Sequence, residues 1–379
     1  VPERATAEAV IIGGGVIGCA TAYELSRRGV EVVLVEAATL ASAASGASAG
    51  GVRQQGRDPR ELPLALRAVR RWPQLSSELE ADLHYRQDGN LTLAERPEDV
   101  AALERRVARE RAAGLDVELL DAVDVRELVP GVAPSVLAAS WCKSDGQAMP
   151  SLVTHAFARA AARLGARVLQ RARVTAIVRR RDKVAAVRTT RGTISCRWVV
   201  DAAGAWGAEV AQLAGLSIPV HRRALQMLVS EPVPLRLRPV LGSAHRRLSL
   251  KQLPGGAYLI GGGWPGRVDP ATRRTWLLPS SLAGNAQAAR AVYPPVVRAR
   301  IVRCWAGIEA ITPDEVPIIG PARELEGFIY ACGFSGHGFA LAPAVGELIA
   351  ELVTTGGPSL PLDSLSPSRF TTGTTGLCA

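Results

Sequence analysis

The chain has 379 residues, 47% of them hydrophobic, which allows a substantial core and two or three domain-sized units. Its formal charge is +10, but only Lys143, Lys183 and Lys251 are lysines and aromatics are 4%; with short basic clusters at 179–183 and 221–223 and no basic tail, nucleic acid is not an expected partner. Six cysteines without C-x-x-C and no clustered His argue against a zinc framework, any other metal site or a disulfide scaffold; the lack of a signal peptide or membrane-length apolar run predicts a cytoplasmic location, with peripheral membrane attachment left open.

The run AEAVIIGGGVIGCATAYELSRRGVEVVLVEA reads as a buried strand at 9–12, a glycine turn, a helix from about 16 to 28, and a second strand at 31–35. Gly13, Gly15 and Gly18 fit G-x-G-x-x-G in the strand–turn–helix context that gives the motif meaning. Gly13 makes the tight turn, Gly15 lets backbone approach a pyrophosphate, and Gly18 lets helix pack on strand. The helix start, at Val16 and Ile17, offers free N–H groups and a positive dipole end to phosphates. Glu36 closes the second strand, where a carboxylate takes both hydroxyls of an adenosine ribose and favours NAD or FAD over NADP.

Next comes LASAASGASAGGVRQQ, residues 40–55: almost no side chain, then Arg53, Gln54 and Gln55 together. The composition is that of a Ser/Gly linker, or of a loop lying against something bulky that is not protein. HYRQDGNLTLAER (84–96) alternates around Asp88-Gly89 as a hairpin would, and RRLSLKQLPGGAYLIGGG (246–263) does so around Pro254-Gly255-Gly256. Between them, a helix at 151–164 buries Leu152, Val153, Ala156, Phe157, Ala160, Ala161 and Leu164, with His155 off that face and exposed. CRWVVDAAGAWGAEVAQLAG (196–215) is a strand running into Gly204 and a helix. GFIYACGFSGHGFALAPAVGELIAELV (327–353) repeats the design with Gly333, Gly336 and Gly338 before an amphipathic helix. Three such turns predict a ligand long enough to touch widely separated parts of the chain. Residues 371–379, Cys378 included, read as a frayed tail.

G-x-G-x-x-G with Glu36, VVDAAGAW, WAGIEAITPDEVPIIG and GFSGHGFALAP together resemble the D-amino-acid oxidase superfamily of FAD enzymes, from about residue 8 to 370. The resemblance implies an α/β (α+β) fold: a Rossmann-like FAD-binding domain assembled from 1–86, 145–216 and 312–370, with an interleaved antiparallel-sheet substrate domain from 87–144 and 217–311. It implies that 40–55 is a cofactor-wrapping loop, its small residues allowing backbone approach. Implied cofactor contacts are Gly13, Gly15, Val16, Ile17, Gly18, Glu36, Ala37, Ser48, Gly50, Gly51, Val174, Ala203, Gly204, Trp206 and Gly307, then Gly333, Gly336, His337, Gly338 and Phe339. Arg53, Gln54, Glu309 and His337 are the implied catalytic set. Arg53 would hold a substrate carboxylate; His337 is either a charge-tuning group near the flavin or an ordinary loop residue.

Departures from the family narrow the reading. Sarcosine oxidases of the monomeric type carry a substrate-gripping lysine where this chain has Ala340, and an oxygen-activating lysine where it has Leu259. Glycine and D-amino-acid oxidases carry a carboxylate-binding arginine where Glu309 stands. Glu309 then either meets a cationic group on the substrate or pairs with a neighbouring arginine. The covalent flavin cysteine aligns with Gly307, so the FAD is expected to be non-covalent, with Cys304 three residues away as the one alternative. The implied activity is oxidation of an amino-acid or opine-type C–N bond to an imine, in a dehydrogenase subunit that works with an electron acceptor or partner redox subunits. An oxygen-using oxidase, a non-catalytic electron-transfer subunit and a hydroxy-acid dehydrogenase are the competing readings.

Overall fold

The computed structural model describes residues 4–269 and 274–370, so the tail expected at 371–379 lies outside it. The strand Ala9–Ile12 lies between Val32–Val35 and Trp198–Asp201, parallel to both, and Arg167–Leu169 and Phe328–Cys332 extend the parallel sheet. Ile318–Pro321 closes it antiparallel, giving six strands. Both faces are covered, which is why AVII and VVLV are apolar without alternation. Ala9, Ile11, Val32 and Leu34 face a helical layer, whereas Val10, Ile12, Val33 and Val35 face a four-stranded sheet built from 174–195 and Arg4–Thr6.

The helical layer contains Val16–Arg27, Leu62–Glu78, Pro150–Arg163 and Gly338–Thr355. The last was expected to be amphipathic. It is instead apolar on nearly every side, because it is wedged between the first two. Among the described residues it is the one helix long and apolar enough to cross a membrane, and 67% of it is buried inside the protein. Pro150–Arg163 buries Val153, Ala156, Phe157, Ala160 and Ala161 as expected. Leu152 and Leu164, at its two ends, remain exposed, and His155 is half-buried with Nδ1 2.8 Å from Ser151 O.

A second, eight-stranded sheet runs in the order 301–311, 221–232, 257–261, 249–252, 240–243, 90–94, 138–142 and 118–121. The hairpin expected around 254–256 is present: Ser249–Gln252 pairs antiparallel with Ala257–Gly261, and Gly256 turns at φ +90°. The hairpin expected at 84–96 is not. Gly89 does turn, at φ +79°, but Arg86 pairs with Gln147, while Asn90–Ala94 pairs with Ala138–Cys142 and with Val240–Ser243. An isolated two-stranded ribbon could not bury Leu91 and Leu93, whereas a central position in a wide sheet does. One face of this sheet packs on the helix Pro279–Val292.

Gly346 brings the last helix against the first: a Cβ there would lie 2.7 Å from the carbonyl carbon of Ala20. Gly346→Val should therefore destabilise the protein by about 1–3 kcal/mol through overpacking. Denaturant or thermal melting checks this, and an unchanged midpoint would mean that the two helices separate freely.

Candidate active site

A cavity of about 750 Å³ runs from the carboxyl ends of Ala9–Ile12, Val32–Val35 and Trp198–Asp201 to residues 306–310 of the second sheet. Its first wall is the glycine turn. Gly13 sits at φ +116° and donates its N–H to Val35 O (2.8 Å); a side chain there would strike the Ala202 carbonyl. Gly15 precedes the helix without a side-chain cap, and Ser45 Oγ accepts the Val16 N–H at 2.9 Å. The helix start at Gly15, Val16 and Ile17 thus faces the cavity, as phosphate binding requires. Glu36 is held on the wall by N–H groups of Gly14 (2.7 Å) and Ala38 (2.6 Å), beside Ala37.

The 40–55 stretch is not a linker. Its short helix Ala44–Ala47 lines the cavity beside the second sheet, with Ser48 also on the wall. Trp305 Nε1 donates to Ala47 O (3.0 Å), and a Cβ on Gly307 would come within 2.6 Å of Ala47 Cβ. Small residues on both sides let loop and sheet approach. The remaining wall comes from Val174, from Ala203, Gly204 and Trp206 after the third central strand, and from Gly336, Gly338 and Phe339 at the start of the last helix.

Four glycines expected on the cofactor frame the cavity instead of lining it. Gly18 lies under the first turn, where a Cβ would meet Gly13 O. Gly50 (φ +70°) abuts Ala148 O, and Gly51 pairs with Gln147. Gly333 (φ +68°) packs against Thr312. Gly18, Gly50 and Gly333 each serve a close chain crossing, a need that the sequence does not distinguish from ligand contact, whereas a Cβ on Gly51 would meet open space.

The four residues expected to carry chemistry are not brought together. Glu309 does line the cavity. Its cross-strand neighbour Arg223 turns to Glu315 (3.3 Å), and among the described residues no cation pairs with Glu309, so burial pushes its carboxyl up to about 7. Gln54 is buried away from the cavity: its N–H goes to Asp145 Oδ1 (2.7 Å) and its amide to Ser144 Oγ (2.8 Å). Asp145, itself enclosed and pushed up to about 6 by burial, needs those donors. Arg53 turns back to Gln55 O (3.0 Å), while Arg57 donates to Arg53 O (3.0 and 3.1 Å). His337 lines a second cavity, with Nδ1 2.9 Å from the buried Glu61. Burial and Arg57 hold it neutral, near pKa 4, against the pull of Glu61.

Sequence reasoning missed Ser45, Glu61, Asp145 and Asp201, which fix the loops, and Lys251, which lies buried in the second sheet. Asp201 bonds the Ala203 N–H (3.1 Å), and burial pushes it up to about 8.

A dinucleotide cradle at the carboxyl ends of a parallel sheet, roofed by an antiparallel sheet, defines a two-sheet oxidoreductase. The chain belongs to the FAD-dependent oxidoreductase (DAO) family, whose pattern matches residues 8–352, and its cofactor is FAD. It is 29% identical to hydrogen cyanide synthase subunit HcnC of Pseudomonas aeruginosa, over 94% of each chain. It is 30% identical to sarcosine oxidase subunit beta of an Arthrobacter species, over 97% of this chain and 91% of that one. The crystal structure of L-proline dehydrogenase from P. horikoshii superposes with a TM-score of 0.92 at 32% identity, covering 98% of this chain and 99% of that one.

Two outcomes follow from this geometry. Because the folded-state pKa of Glu309 is raised from 4.5 to about 7, its charge costs stability above the unfolded pKa and increasingly so through pH 7. Glu309→Gln should melt at nearly the wild-type temperature at pH 4.5 and above it at pH 8; an equal difference at both would place a partner on the carboxylate. Cys304 packs with the core on the far face of the sheet from Gly307, so no thiol reaches the cofactor there. Acid precipitation should release yellow flavin into the supernatant, and colour kept in the pellet would show a covalent bond.

Proposed function

We propose that the protein oxidises the C–N bond of an amino acid or N-substituted amino acid of glycine, proline, sarcosine or opine type, as a dehydrogenase subunit. The carrying observation is the cavity that joins the cradle to the face of the second sheet, in a chain matched end to end by relatives named for such donors. When bound, FAD accepts at N5 the hydride equivalent from the carbon beside the amine, leaving an imine. The chain's own residues hold, shield and tune. N–H groups at Gly338 and Phe339, which open an 18-residue helix, would hold the pyrimidine edge with the positive end of its dipole.

Phe339, on the cavity wall, is backed by Trp72 and Tyr85: ring centroids lie 5.1 and 5.6 Å apart, and Trp72 Nε1 donates to Ala340 O (2.9 Å), which fixes the start of the last helix. The neutral His337, fixed by Glu61, adds no positive charge at the helix start. Glu309, an uncompensated acid on the wall, favours a substrate with a cationic group. Two of the relatives are named as subunits, which supports a partner that carries the electrons away. Leu259, buried and apolar, supports an acceptor other than oxygen.

Anaerobic mixing with a panel of amino acids, N-methyl amino acids and opines should bleach the flavin absorbance with at least one amine. The bleached enzyme should regain colour faster with a dye acceptor than with air. Bleaching by hydroxy acids alone would overturn the substrate class, and rapid peroxide formation would make it an oxidase.

A further inference from the structure

Lys251 stands within the strand Ser249–Gln252 and is 1% exposed. A buried ammonium is normally paired. Among the described residues, no carboxylate lies within 4 Å of Lys251 and no acceptor takes a hydrogen bond from it. Burial, and then the like charge of Arg86, lower its pKa to about 7. The protein supplies a cation and no counter-ion.

Register places this cation. Gly307 faces the cofactor loop at Ala47 and lies opposite Leu225. Residues directly opposed in a sheet share a face, as do residues two apart along a strand. The same face therefore carries Met227 and Val229, then Leu259 opposite Val229, then Lys251 opposite Leu259. A Cβ on Gly261 would strike the Met227 side chain, which places the two on one face. Lys251 thus belongs to the face turned to the cofactor loop, not to the face packed on the 279–292 helix.

Its surroundings are under-satisfied. Gln147, paired with Gly51 of the loop, donates through Nε2 to Gln252 O (3.4 Å), but its Oε1 is buried without a partner. Arg86, bridged to Gln147, leaves Nη1 buried without a partner. Arg86 is ion-paired through its other terminal nitrogen with Asp88, so the charge in this corner that no protein group answers is that of Lys251, which favours an anion.

We propose that Lys251 is the counter-ion of the substrate carboxylate, a role that rests on the amino-acid reading above and replaces Arg53 as the anchor. Arg53 instead turns its guanidinium back to Gln55 O (3.0 Å). The carboxylate enters between the sheet and the 50–52 segment and completes a pair whose other half is already buried.

Titration of the FAD-loaded protein with acetate, followed by perturbation of the flavin absorbance, tests this, with acetamide as the uncharged control. Wild type should bind acetate well ahead of acetamide. Lys251→Met should weaken acetate binding about ten- to a hundredfold and abolish the preference. The variant loses an unpaired buried charge, so its thermal midpoint should hold or rise; failure to fold would make Lys251 structural and overturn the proposal. Unchanged acetate binding in Lys251→Met would also overturn it, as would loss confined to Arg53→Met, or a Lys251→Met defect seen only in the reaction with oxygen. The outcomes separate the two readings: if no amine bleaches the wild type but Lys251→Met still loses acetate, the carboxylate site stands and the reaction class falls.

Discussion

The contact on which the molecule turns is between backbones, at the ends of the two neighbouring strands Ala9–Ile12 and Trp198–Asp201. Gly13 and Ala202 approach so closely there that no side chain fits, and Gly18 closes the same turn from below. The first helix must therefore start at once, with its N-terminal N–H groups aimed into the cavity and its body laid on the sheet. The last helix then packs on the first through Gly346, which fixes where Gly338 and Phe339 meet the same cavity. One steric constraint thus sets both the phosphate end and the far end of the cofactor site.

Much of the first sheet was legible because its strands are short apolar runs bounded by glycine turns, and a parallel sheet buried on both faces produces that pattern. The second sheet was legible only where pairing is local. The Pro254-Gly255-Gly256 turn joins strands that do pair, whereas the Asp88-Gly89 turn joins segments whose partners lie at Gln147 and at 138–142. Alternation reports that one face of a strand is buried but not which strand lies beside it. In the same way a glycine reports a close approach without saying what approaches. Gly13 and Gly15 face the cavity, while Gly50 and Gly333 accommodate other parts of the chain.

The side chains of the site were harder to read for a related reason. In RRLSLKQL the alternation assigns Ser249 and Lys251 to a polar face, which on a surface sheet would be solvent. That face is instead roofed by the cofactor loop, and Lys251 is enclosed. Conversely, the polar run Arg53–Gln55 looked suited to meeting a ligand. Gln54 and Gln55 are buried in a network with Asp145, Asn90 and Ser140, where they hold the loop against the second sheet. Polarity in the sequence marks a group that needs a partner, and only the fold says whether the partner is protein, water or substrate.

The two uncompensated charges share one logic. Glu309 and Lys251 lie on the same face of the second sheet, the first half-buried at the Gly307 end and the second fully buried two strands beyond Val229, each without an opposite charge among the described residues. Arg223 and Glu315 show that this chain pairs charges readily where stability alone is at stake, as does the mesh of Arg67, Arg71, Glu24, Glu347 and Glu351 around the helical layer. Leaving an acid and an ammonium unpaired in an enclosed space costs stability that a conservative neutral residue would spare. Such a cost persists where the missing partner arrives with a ligand. On the proposed reading, opposite signs at separated points of one sheet face orient the substrate, presenting its cationic and anionic ends to different strands.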